Sequence, residues 1–137
     1  MRPAEGTQPD RPDDLARTGA IAIALGRIGI GAAALAVTRP GLAALGFEDP
    51  HPATVVLARM AGVRDVALGL HALAVRDERD RLREASVLGA AVDAGDAFAF
   101  GAALAARDGI DSTALRNLPI AASAVVAGAW VASRLRR

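Results

Sequence analysis

Four apolar stretches of near-bilayer length follow one another along this chain, and three of them carry charge well inside their ends. The first lies between Arg17 and Arg39, twenty-one residues interrupted only by Arg27. The second runs from Ala53 to Val75 and holds Arg59, Arg64, Asp65 and His71. The third lies between Glu84 and Arg107 and holds Asp93 and Asp96, while the fourth, Asn117 to Ser133, has no charge. Roughly 20 residues of helix, at ~1.5 Å each, cross ~30 Å of hydrocarbon. Ala, Leu, Val and Gly dominate and strand alternation is absent, so every stretch reads as helix. The expected fold is all-α: a four-helix transmembrane bundle, antiparallel with short loops, with helices at about 15–38, 53–75, 84–106 and 113–134. Residues 14–137 form that membrane domain. Residues 1–13, with Pro3, Pro9 and Pro12 and almost nothing apolar, read as a disordered tail.

Local punctuation supports these limits. Asp13 or Asp14 can cap the first helix, and Arg39-Pro40 is expected to end it. Pro50 and Pro52 bracket His51 ahead of the second helix. Asp108-Gly109 marks a turn, with Asp111 or Ser112 as the cap of the fourth helix, and Pro119 leaves room for a short interfacial turn there. Asp10, Asp13 and Asp14 precede the first apolar run, which favours an uncleaved segment over a secretory signal.

A soluble bundle would need a polar stripe on each helix. The first segment offers only Arg27, and the fourth only Asn117 and serines. On the second, with Arg59 as zero and ~100° per residue, Arg64 falls near about 140°, Asp65 near about 240° and His71 near about 120°, so no wet side emerges. Lipid raises its own objection. Six charges lie within the segments: Arg27, Arg59, Arg64, Asp65, Asp93 and Asp96. At ~2.5–3.5 kcal/mol each they cost about 15–20 kcal/mol if unpaired. Three Arg against three Asp sum to zero, which permits a neutral cluster inside the bundle. Counted from the ends near Arg17, Arg76 and Glu84, the residues Arg27, Arg64, Asp65, Asp93 and Asp96 fall near one depth, with Arg59 on one side of it and His71 on the other.

Arg distribution sets an expected orientation. With four spans, the side of the N-tail, the 76–84 loop and the C-tail holds ten Arg, and the other side holds Arg39, Arg107 and Arg116. The positive-inside rule then predicts an inner-membrane, multi-pass protein with both termini cytoplasmic, and Trp130 suits an interfacial belt.

On the third segment Gly89, Asp93, Asp96 and Phe100 share one helical face, and on the second Arg64 and His71 do. Glycines at 26, 29, 31, 62 and 69 are placed for close helix approach. The candidate binding residues are therefore Arg27, Arg59, Arg64, Asp65, His71, Asp93 and Asp96, with Asp93 and Asp96 the candidate acid–base pair. A bundle of this kind binds a lipophilic small molecule or a partner membrane protein among the membrane lipids. The alternatives are an intramembrane acid–base enzyme, hydrating or isomerising an apolar substrate, and a proton or ion pathway. No cofactor or metal is expected: the chain has no Cys, His51 and His71 lie far apart, and Arg opposes a cation beside the carboxylates. With no Tyr, one Trp, three Phe and a net charge of +1, nucleic acid is not an expected partner.

The run Ala58-Arg59-Met60-Ala61-Gly62-Val63-Arg64-Asp65-Val66-Ala67-Leu68-Gly69-Leu70 resembles the R-x-x-G-x-R-D-x-x-L-G signature of a family of small bacterial and fungal integral membrane proteins of unknown function. The Gly26–Gly31 stretch, the Arg39-Pro40 pair and Asp93 are similar to that family as well, over roughly residues 18–135. The four-helix architecture is also like that of DoxX-type membrane proteins. The resemblance implies four membrane spans and no particular activity.

Overall fold

Pro12 occupies the first helical position, where its missing N–H costs nothing. From it runs α1 (Pro12–Ala36), followed by α2 (Thr38–Ala44), α3 (Pro52–Ala74), α4 (Arg79–Ala106) and α5 (Asp111–Arg134) in the computed structural model, which describes residues 12–136. There are no strands among the described residues. Most of the expected tail, residues 1–11, lies outside the described residues, whereas Pro12 and Asp13 already belong to α1.

Three junctions differ from the sequence expectation. Arg39-Pro40 does not close the first helix. The break falls at Val37 (φ −129°, ψ 46°), and Pro40 sits in the first turn of a separate short helix, α2. A first-turn N–H has no intrahelical partner to lose, so proline is tolerated there. The helix carrying Asp93 and Asp96 starts at Arg79, ahead of Glu84, because Glu78 (ψ 98°) is the last extended residue. At α5 neither Asp111 nor Ser112 is the cap: Ile110 takes that place without a side-chain bond, and Asp111 lies in the first turn, where its charge suits the helix dipole. Pro119 lies inside α5, which is one continuous helix with no separate interfacial turn. His51 is the N-cap of α3, its Nδ1 accepting the Ala53 N–H at 3.2 Å.

α1 packs mainly along α3, and α4 mainly along α5. Glycine allows the first crossing. A Cβ on Gly31 would lie 2.5 Å from the Gly62 carbonyl oxygen, and one on Gly69 2.6 Å from that of Ala24. Gly26 and Gly29, expected to share this role, face no neighbour within 4 Å. At one end Ala16, Ala20, Leu82, Val131 and Leu135 form the apolar core, flanked by Ile23 and Ala72. At the other end α5 is stitched to the turn after α2: Thr113 Oγ1 donates to the Gly46 carbonyl at 2.8 Å, and Asn117 Nδ2 to that of Leu45 at 3.0 Å.

Three helices, spanning 14–36, 79–106 and 111–134, are long and apolar enough to cross a membrane. α3 has the length but carries Arg59, Arg64 and Asp65 together in its middle, so composition alone does not place it with them. The large apolar side chains point outward. Phe98 is 76% exposed and many Leu, Val and Ile are exposed too, while Leu82 and Val131 are the only large side chains fully buried among the described residues. Water would penalise such a surface, and lipid would not. The fold fits a membrane protein.

Candidate functional site

The interior that the apolar side chains vacate is occupied by charge. Arg27, midway along α1, is only 12% exposed at its side chain. Its Nη1 donates to Asp65 Oδ1 of α3 at 3.0 Å, and its Nη2 to Asp93 Oδ2 of α4 at 2.5 Å and to the Gly89 carbonyl at 3.1 Å. Gly89 is what lets the guanidinium in: a Cβ there would lie 3.2 Å from Arg27 Nη2. One side chain thus ties three helices together through charge-assisted hydrogen bonds.

Arg64 completes the network one residue before Asp65. It engages Asp96 bidentately, Nη1 to Oδ1 at 3.0 Å and Nη2 to Oδ2 at 2.7 Å, and lies 3.7 Å from Asp65 Oδ1. Its Nε is buried with no partner among the described residues. Unlike the Arg27 centre, this pair is open: the side chains of Arg64 and Asp96 are 37% and 39% exposed. α3 and α4 touch only lightly, so the pair bridges two helices that otherwise pack elsewhere.

Five of the seven residues singled out from sequence, Arg27, Arg64, Asp65, Asp93 and Asp96, therefore form one connected network. Arg59 does not join it. Its Nε donates to Thr38 Oγ1 at 3.2 Å, and that hydroxyl donates in turn to the Ala34 carbonyl. His71 is exposed near the end of α3. Sequence reasoning missed Thr38, which draws Arg59 away. It also missed the Gly89 carbonyl as an acceptor, although Gly89 shares the face of Asp93 and its spacing carried that signal.

Beside the network, between the long helices, lies a cavity of about 30 Å³ touched by Arg27, Ser86, Gly89, Asp93 and apolar side chains. That is room for one water with polar partners, not for a substrate. A second polar region lies at the end of the molecule near the start of α4. There Arg17 pairs with Asp77, Arg76 lies 3.6 Å from Asp77, and Arg79 Nε donates to the Leu135 carbonyl around a cavity of about 160 Å³. Arg134 lies over the Trp130 ring at 5.8 Å. Among the described residues no group of three or more His, Asp and Glu is arranged to hold a metal ion. Compared with family models, with curated proteins and with solved structures, the chain matches none.

Proposed function

We propose that α1, α3, α4 and α5 cross the inner membrane as an antiparallel four-helix bundle, with both termini cytoplasmic, and that the protein binds a lipophilic molecule bearing a polar group. The open Arg64–Asp96 pair carries this reading. It presents a donor–acceptor fork at the light contact between α3 and α4, on helices that expose many large apolar side chains. A ligand arriving through the bilayer can bring its polar group to that fork and keep its tail in lipid. The one-water cavity beside Asp93 favours binding over enclosed acid–base catalysis. The resemblance of the Ala58–Leu70 run to small integral membrane proteins agrees with the four-span placement.

Native mass spectrometry of the protein released in mild detergent tests the binding. A companion of defined mass should accompany the wild-type chain and be lost on Asp96→Asn. A companion retained equally by that variant, or none on the wild type, sinks the assignment. Orientation is tested separately in this Cys-free chain. Single cysteines at Ser112 and Asp80 should label from opposite faces of the membrane, with Asp80→Cys reacting only after permeabilisation. Labelling of both from one face would refute four spans.

A further inference from the structure

The network is short of one positive charge. Two guanidinium groups, Arg27 and Arg64, face three carboxylates, Asp65, Asp93 and Asp96. The third Arg that would balance them, Arg59, is held by Thr38 and forms no ion pair among the described residues. Among the described residues no other element supplies the missing charge. α1 contributes only Arg27 beyond Arg17, and α5 has no ionisable residue between Arg116 and Arg134. His71, on α3, is exposed, and Arg39 of α2 is exposed beyond the α1–α2 break. A surplus anion in apolar surroundings is costly, and the smallest cation that removes it is a proton.

We propose that the network binds one proton, and that Asp65 carries it. The geometry singles Asp65 out. Asp96 takes both Nη groups of Arg64 at 3.0 and 2.7 Å, and Asp93 holds the shortest contact to Arg27 at 2.5 Å. Asp65 engages through a single oxygen, Oδ1, shared between Arg27 at 3.0 Å and Arg64 at 3.7 Å, which leaves Oδ2 to bear the hydrogen. The proton comes from water and returns to it, with no bond between heavy atoms made or broken. This inference rests on the ion-pair count and not on the identity of any ligand, so it stands or falls apart from the binding reading.

The test is infrared spectroscopy of the full chain in phosphatidylcholine bilayers at neutral pH, with 13C-labelled aspartate identifying its carboxyl bands. The wild type should show the acid C=O band of one protonated aspartate per chain. Asp65→Asn, which keeps the shape of the protonated acid, should fold like the wild type and lose that band. Arg59→Gln should keep it at unchanged intensity. A wild type without the band overturns the proposal, as does a band that survives Asp65→Asn or an Asp65→Asn chain that fails to fold. A band that strengthens in Arg59→Gln would show that Arg59 does balance the network, and would overturn it too.

Discussion

α1 meets two neighbours in opposite ways. Against α3 the contact is dry and close, backbone to backbone, because Gly31, Gly62 and Gly69 present no side chain. Against α4 there is little packing, and the connection is Arg27 reaching Asp93 and the Gly89 carbonyl. The first seam depends on shape and tolerates no added atom. The second depends on charge and tolerates no missing one. Lipid offers no hydrophobic drive between helices, so both devices, small residues and polar bonds, are the ones a bilayer leaves available.

The comparison can be broken most forcefully at the polar seam. Arg27→Gln leaves the Asp93 carboxylate without its partner and takes from Asp65 its nearer one, and stranding the buried Asp93 charge costs ~3–5 kcal/mol. Thermal unfolding in detergent should show a large loss of stability or a collapse in folded yield; a melting curve like the wild type's would deny the seam its charge dependence. At the glycine seam, Gly31→Ala places a methyl 2.5 Å from a backbone oxygen that cannot step aside, for about 1–3 kcal/mol by the same measurement. An unchanged midpoint would mean that the crossing is looser than described.

A double-mutant cycle sharpens the pairing. Arg64→Gln with Asp96→Asn should be milder than the sum of the singles by about 1 kcal/mol, low in the usual range because the pair is open. Arg64→Gln with Asp93→Asn, whose side chains do not bond, should come closer to additivity. Stronger coupling in the second cycle than in the first would reverse the assigned partners. The smallest effect belongs to Gly29→Ala. With nothing within 4 Å, it should leave packing intact and raise stability by up to ~1 kcal/mol through helix propensity. A marked loss there would reveal an unseen neighbour.

Sequence spacing makes the common level of Arg27, Arg64, Asp65, Asp93 and Asp96 legible, because rise per residue is fixed once a helix end is known. It does not reveal which Arg meets which Asp. That depends on how each helix is turned about its axis, which the Gly31–Gly62 and Gly69–Ala24 contacts set for α1 against α3. Arg59 looks like a cluster member by residue type. The break at Val37, invisible beside the stronger proline signal at Pro40, starts α2 at Thr38 and brings that hydroxyl to Arg59. The long helices lie on the apolar runs, though α4 extends ahead of its run to Arg79. Short features such as α2 and the cap at Ile110 hinge on one or two residues and do not.

Arg27's position at the meeting of three helices also bears on how such a chain enters lipid. Each segment emerges from synthesis before the partner that neutralises it: α1 before the carboxylates of α3 and α4, and α3 with Arg59, Arg64 and Asp65 before α4. At ~2.5–3.5 kcal/mol per lone charge, α3 is a poor candidate to partition by itself. On the proposed four-span placement its delivery would be shared, with α1 ahead of it and α4 close behind entering as a group. On that placement the ion pairs would act as a checkpoint: a chain truncated before Asp93 leaves Arg27 with only Asp65 to answer it, and Arg64 with no carboxylate of its own.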